Sequence, residues 1–246
     1  MRALVVSDLH SNAEALRAVF KRVRRKKYDT VICLGDFVGY GAQPNKILDT
    51  MRTLKSRKVF IRGNHDRVAS GLGDANGFNN AAKASALWTR ERLSAPNRRF
   101  LRDLTQGPLM HKGALLCHGS PYDEDEYVFN VHHAAQVLAL YEVPFILFGH
   151  THLPAVFSID QDRNVSGFAV RSDATVKLEP GLRYLINPGS VGQPRDRNPD
   201  TSFIILDTDK RTAQFFRVPY DVEGAQAAIL KAGLPEILAS RLSYGT

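Results

Sequence analysis

The sequence predicts an α/β protein with βαβ units in its N-terminal half and a second sheet in its later half. Three observations carry this expectation. Short apolar runs each end at a small polar cluster, and the first of these runs alternate with segments of helical spacing. Beyond His152 the helical spacing gives way to short strands at turn-rich intervals.

Residues 3–6 form an apolar run that stops at Ser7-Asp8, and Leu16, Val19, Phe20 and Val23 follow at helical spacing. Ser11 and Glu14 stand at capping-box spacing, which places the helix start at Ser11. Residues 30–34 read as the next strand, ending at Gly35-Asp36. Pro44 then suits a first helical position, with Ile47, Leu48, Met51 and Leu54 as the apolar face. Residues 59–61 are a third strand, ending at Gly63-Asn64-His65-Asp66. This alternation implies βαβ crossovers and a mostly parallel core, whose functional groups gather at strand C-termini.

Residues 67–108 read as helical and irregular, with Trp88 a packing residue. Residues 115–117 and 145–148 are strands ending at His118-Gly119-Ser120 and Gly149-His150-Thr151-His152, with a helix over 134–141 between them. Six short strands follow, over 156–159, 168–171, 175–178, 184–186, 202–206 and 213–218. A helical tail over 222–242, broken near Gly233 and Pro235, closes the chain. No Pro- or Ser-rich linker divides the 246 residues, so one domain is expected, with a core over 1–218 and a tail over 219–246.

An apolar content of 43% excludes a disordered chain. Cys33 and Cys117 are too few for a disulfide scaffold and lie inside apolar runs, which fits buried reduced thiols. The first residues meet Asp8 before any signal-peptide core develops, and no apolar stretch has the length of a membrane span. A cytoplasmic protein with no membrane partner is expected. The net charge of +8 raises the question of a polyanionic partner. Its densest run, residues 21–27, lies at the end of a helix, where cations complement the helix dipole and remain solvated.

Asp8, His10, Asp36, Asn64, His118, His150 and His152 each lie just beyond a strand. If adjacent strands supply these loops, the seven side chains surround one spot, and this mix of N and O donors suits two divalent transition ions. A lone Asp-x-His or His-x-His is a weak signal; five strand-ending clusters in one chain are a specific one. His65 adjoins a ligand candidate and would therefore face a substrate. His111, His132 and His133 match no cluster and read as surface or packing residues. Ser120 has no Ser-His-Asp arrangement around it.

The ordered blocks Asp8-Leu9-His10, Gly35-Asp36, Gly63-Asn64-His65-Asp66, His118 and Gly149-His150-Thr151-His152 resemble those of the calcineurin-like metallophosphoesterase superfamily. The resemblance runs over residues 1–218 and implies a two-sheet β-sandwich flanked by helices. It further implies that Asp8, His10 and His152 hold one divalent ion, that Asn64, His118 and His150 hold another, and that Asp36 bridges them. Mn, Fe, Zn, Co or Ni would serve, with Mn favoured. The implied reaction is in-line attack by a metal-bridging hydroxide, with His65 protonating the leaving oxygen or stabilising charge.

Two features narrow this expectation. The stretch from Gly35 to Gly41 lacks the second Asp and the Arg of the G-D-x-V-D-R-G block in phosphoprotein phosphatases, so a small-molecule phosphoester or nucleotide is expected instead. Residues 38–45 and 187–195 are similar to a bacterial and archaeal subgroup labelled phosphodiesterases or diadenosine tetraphosphatase-related proteins, implying phosphodiester or dinucleoside polyphosphate substrates. Arg195 either replaces the missing guanidinium or is a surface cation; Tyr40 either stacks on a base or lines the core. The alternatives are a nucleic-acid-binding or scaffold protein that keeps the metal fold, and a nuclease.

Overall fold

The computed structural model describes residues 1–246. In chain order the elements are β1 (Arg2–Val6), α1 (Ala13–Val23), β2 (Thr30–Cys33), α2 (Pro44–Arg52), β3 (Arg57–Phe60), α3 (Asn64–Ser70), α4 (Asn80–Arg92) and α5 (Ala95–Asp103). Next come β4 (Leu109–His111), β5 (Ala114–Leu116), α6 (Val131–Leu140), β6 (Phe145–Leu147), β7 (Ala155–Ile159), β8 (Val165–Ala169), β9 (Ala174–Lys177) and β10 (Arg183–Asn187). The chain closes with β11 (Thr201–Asp207), β12 (Thr212–Val218), α7 (Val222–Lys231) and α8 (Glu236–Tyr244).

Two six-stranded sheets form the core, ordered β3-β2-β1-β11-β12-β9 and β4-β5-β6-β10-β7-β8. Successive side chains in a strand point to opposite faces. Ala3, Val5, Ile32 and Leu34 accordingly meet Leu116, Leu147 and Ile186 of the other sheet, while Leu4, Val6, Val31 and Cys33 face α1 and α2. Both faces are covered, so these strands are continuous apolar runs rather than alternating ones. On the far side of the second sheet, Leu115, Ile146 and Leu185 pack against Ala134, Val137 and Leu138 of α6.

The sheets are mixed rather than mostly parallel. β1, β2 and β3 are parallel to one another, as are β5, β6 and β10, while β11, β12, β9, β4, β7 and β8 join antiparallel. The later strands do not form a sheet of their own. β11 pairs with β1, in a register that sets Arg2 opposite Asp207, and brings β12 and β9 with it. Helix α1 starts one residue later than the capping-box spacing indicates: Asn12 is the cap, its Oδ1 accepting from the Ala15 amide at 3.0 Å, because Ser11 lies in left-handed backbone at φ 54°. Pro44 is the first residue of α2, as expected. Strand β8 lies earlier than the expected 168–171, since it is an edge strand with largely exposed side chains and no apolar alternation to mark it.

The tail folds back on the core. Ala225, Ile229, Leu238 and Leu242 of α7 and α8 pack with the ring of Tyr40, and Trp88 borders the same cluster as a packing residue. Cys33 and Cys117 are buried free thiols. No helix is long and apolar enough to cross a membrane.

Candidate metal centre

Five loops at the C-terminal ends of β1, β2, β3, β5 and β6 converge on one rim, and they do so at a conformational cost. Asp8, His10, Asp36, His150 and His152 all occupy left-handed backbone, with φ between 44° and 63°. Each such residue costs on the order of 1 kcal/mol, a strain that persists where surrounding structure dictates the position. Close approach is the other device. At Gly63 a Cβ would run into Asp36 Oδ1 and lie 2.5 Å from the Asp36 amide nitrogen. Gly63→Ala is therefore expected to cost about 2 kcal/mol or more and to displace Asp36. Equal denaturant midpoints for the variant and the parent would contradict that.

The four ligand-candidate histidines are oriented by backbone carbonyls. Nδ1–H of His10 donates to Val38 O at 3.1 Å, that of His118 to Leu34 O at 2.8 Å and that of His152 to Gln193 O at 2.6 Å. His150 is held the other way round, its Nε2–H donating to Asp125 O at 3.1 Å. These bonds orient the rings so that, with a cation bound, Nε2 of three and Nδ1 of the fourth are the acceptors that face it.

What those acceptors face decides the chemistry. Nε2 of His10 and of His152 lie 3.1 Å apart, and Asp8 Oδ1 is 3.5 Å from the latter. Neither oxygen of the fully buried Asp8 has a hydrogen-bond partner. His118 Nε2 lies 3.3 Å from Asp36 Oδ2 and 3.2 Å from Asn64 Oδ1. At Asp8, His10 and His152, lone pairs packed this closely without donors repel one another, and a cation between them reverses the sign; at Asp36 the His118 ring takes the place a cation would hold. Three overlapping groups, Asp8–His10–His152, His10–Asp36–His65 and Asp36–His118–His150, each bring their ligand atoms within 4.8 Å of one another, and Asp36 belongs to two of them. These residues fit divalent ions.

Protonation follows the same logic. Burial drives His10 and His152 well below the usual histidine range and takes His150 to about 3 and His65 to about 4, so all four are neutral near pH 7. Burial also opposes charge on His118, but Asp36 outweighs it and holds that ring up at about 10. Burial acts to raise Asp36 as well, yet the charges of His118 and His65 keep it well below the carboxylate range. Burial lifts Asp8 to about 7.

For Asp8 this has a stability consequence. The folded metal-free protein holds a proton that the unfolded chain releases near 3.8, so stability falls as pH rises from about 4 to 7. A bound cation keeps the carboxylate ionised and removes that loss. The melting temperature of chelated protein is thus expected to fall increasingly below that of the metal-loaded protein across this window. A constant gap from pH 4 to 7 would contradict the assignment.

His65 sits at the start of α3, where its amide donates to Asp36 Oδ1 at 2.9 Å. Its ring is packed among Tyr40, Phe78 and His10, with centroids at 4.4, 4.5 and 5.0 Å, and its buried Nδ1 has no partner. A Cβ at Gly39 would run into that ring, so the Gly in Gly39-Tyr40 makes room for it. A cleft of about 310 Å³ opens beside His65, His150 and His152, with Arg195 on its wall. Arg195 Nη2 donates to Tyr40 Oη at 3.1 Å and to Gln193 Oε1 at 3.2 Å. Tyr40 is only 7% exposed, so it lines the wall and presents its hydroxyl rather than an open ring face.

The other histidines lie elsewhere: His111 in β4, His132 and His133 at the start of α6. Ser120 Oγ accepts from the Tyr122 and Asp123 amides. Several supporting residues escape sequence reasoning. Asp66 binds the Gly63 and Val38 amides, both at 3.1 Å, tying two of the loops together. Asn187 Nδ2 donates to Gly149 O at 2.8 Å and to Thr151 Oγ1 at 3.0 Å, holding the His150–His152 loop. Ser190 Oγ donates to Asp8 O at 2.9 Å. The one available signal for the last two is the turn-forming Asn-Pro-Gly-Ser run directly after a strand.

Residues 1–211 match the calcineurin-like phosphoesterase superfamily domain. Over 246 residues the chain is 35% identical to the uncharacterized protein MJ0912 of Methanocaldococcus jannaschii, covering 98% of this chain and 97% of that one. It is similar to the crystal structure of a metallophosphoesterase from Sphaerobacter thermophilus, at 35% identity and a TM-score of 0.87, covering 100% and 99% of the two chains. The same fold recurs in protein PH1004 from Pyrococcus horikoshii OT3, at 21% identity and a TM-score of 0.80, covering 100% and 98%. The convergent acceptors and these matches agree: the chain belongs to the calcineurin-like phosphoesterase superfamily and is a metal-dependent phosphoric ester hydrolase.

Proposed function

We propose that the protein is a binuclear phosphodiesterase, with Asp8, His10 and His152 holding one divalent ion, Asn64, His118 and His150 the other, and Asp36 both. The observation that carries this reading is the convergence of ligand atoms on either side of Asp36, with the Asp8 oxygens left without a donor. Mn is the favoured metal among Mn, Fe, Zn, Co and Ni, all of which accept this donor set. Two such ions, when bound, supply an activated water and brace phosphoryl oxygens. Arg195, steadied by Tyr40 and Gln193, grips a non-bridging phosphate oxygen. His65, neutral and at the cleft, donates a hydrogen bond to the phosphoryl or leaving oxygen.

Charge favours a diester over a dinucleoside polyphosphate. Two divalent ions less the charges of Asp8 and Asp36 leave a modest positive surplus, to which Arg195 adds one charge. The cleft's other guanidinium, Arg67, is engaged by Glu124 at 2.5 Å and Asp125 at 2.8 Å, and Asp74 also lines the cleft. That balance suits a phosphoryl group of one or two charges. We expect kcat/KM for bis-p-nitrophenyl phosphate to exceed those for p-nitrophenyl phosphate and diadenosine tetraphosphate; preference for the tetraphosphate would refute the diester assignment. Arg195→Ala is expected to raise KM for the diester about 10-fold, the loss of a charge-assisted hydrogen bond, and an unchanged KM would remove Arg195 from the site.

The basic run gives nucleic-acid binding little support. Arg22 pairs with Asp173 at 3.4 Å, and Arg22 and Lys26 lie over the Phe216 ring at 5.0 and 4.6 Å. The packing of α7 and α8 around Tyr40 supports reading the chain as one domain, and the buried free thiols support a reducing compartment such as the cytoplasm.

A further inference from the structure

We infer that the Tyr40 hydroxyl is a hydrogen-bond donor to a non-bridging phosphoryl oxygen, so that Tyr40 and Arg195 grip the phosphoryl group together. The inference rests on the phosphodiesterase reading above and adds a catalytic residue to it.

The direction of one hydrogen bond carries the argument. A guanidinium has no acceptor, so in the 3.1 Å contact between Arg195 Nη2 and Tyr40 Oη the phenol oxygen accepts. The hydroxyl proton therefore points away from Arg195, and no acceptor in the protein receives it. Tyr40 stands in the cleft wall with His65, Phe78, Tyr127 and Arg195, its ring centroid 4.5 Å from that of His10 and 4.4 Å from that of His65. A buried phenol ordinarily uses its proton. In a phosphoesterase cleft the acceptor that arrives from outside is a phosphoryl oxygen.

The charges around the ring favour an anionic acceptor. Arg195 and Arg241 place their guanidinium carbons 5.6 and 5.9 Å from the Tyr40 ring centroid. Arg195 otherwise bonds Gln193, and Arg241 Nε donates to the Thr246 carbonyl, so neither guanidinium is paired with a carboxylate. Two cations beside a phenol draw electron density from it and strengthen its O–H as a donor to negative charge.

The hydroxyl is aimed before any ligand arrives. Tyr40 occupies left-handed backbone at φ 53°, a conformation rare for an aromatic residue, between Gly39 at φ 93° and Gly41, where a Cβ would run into the His10 carbonyl. Its amide donates to Ser85 Oγ at 3.1 Å, and that of Gly41 to His10 O at 3.1 Å. Helices α7 and α8, beyond the family-matched residues 1–211, pack Ala225, Ile229, Leu238 and Leu242 against the ring. A donor preset in this way needs no reorganisation when the phosphoryl group binds.

The test compares Tyr40→Phe, Arg195→Ala and the double variant in full-length protein purified without chelator. Calorimetric binding of inorganic phosphate is the first readout and kcat/KM for bis-p-nitrophenyl phosphate the second. Phenylalanine keeps the ring and its packing while removing the donor. Tyr40→Phe is expected to weaken phosphate binding about 10-fold and to lower kcat/KM about 10- to 10²-fold at unchanged metal content, and to repeat both losses in the Arg195→Ala background. Losses that vanish in that background would make Tyr40 a mere support for Arg195 and overturn the inference. Unchanged affinity and turnover in Tyr40→Phe, metal lost in step with activity, or no phosphate binding by the parent would overturn it as well. Phosphate binding that depends on Tyr40, in a parent that does not turn over the diester, removes the phosphodiesterase reading and leaves the donor. Diester turnover indifferent to Tyr40→Phe removes the donor alone.

Discussion

Asp36→Asn is expected to lower kcat/KM for a phosphodiester by on the order of 10³-fold or more while the fold persists. Asp36 is the carboxylate that belongs to two of the three ligand groups, with His118 and His150 in one and His10 in the other. Its Oδ2 lies 3.3 Å from His118 Nε2 and 3.7 Å from His10 Nε2. An amide keeps an oxygen for the His65 N–H, which sustains the local structure, and removes the negative charge that two cations would share. Circular dichroism should be unchanged and bound metal should fall. Full turnover of a folded variant would show that Asp36 does not hold the centre together.

His65→Ala is expected to lower kcat by about 10²- to 10³-fold with metal content intact, since the residue supplies a hydrogen bond in the transition state rather than a ligand. The ring sits between Tyr40 and Phe78 at the cleft, and its Nδ1 has no partner within the protein. A change confined to KM is not the expected signature; kcat and kcat/KM should fall together. If metal is lost in proportion to activity, His65 is a ligand, as its place in the His10–Asp36–His65 group permits.

The site was largely legible in the sequence because its residues punctuate buried strands. Asp8, Asp36, His118 and His150 each follow a run whose side chains are covered on both faces, so the change from apolar to polar is abrupt. The sheet order was not legible. β1 pairs with β11 across nearly the whole chain, and no local period records such a contact. The start of α1 was ambiguous because Ser11 and Asn12 are both competent caps, and the left-handed backbone of Ser11 decides between them. The cleft wall was hidden for a third reason. The loop bearing Tyr127 is shaped by ion pairs from Arg67 to Glu124 and Asp125, which lie 57 and 58 residues away along the chain. Roles such as that of Asp66, which binds two backbone amides from different loops, exist only once the fold has formed.

The most direct test of a binuclear centre is elemental analysis of the full-length protein purified without chelator, with Asp36→Asn beside it. The assignment predicts close to two divalent transition ions per parent chain and a marked deficit in the variant. One ion or none per chain, in protein that still hydrolyses a phosphodiester at full rate, would contradict it.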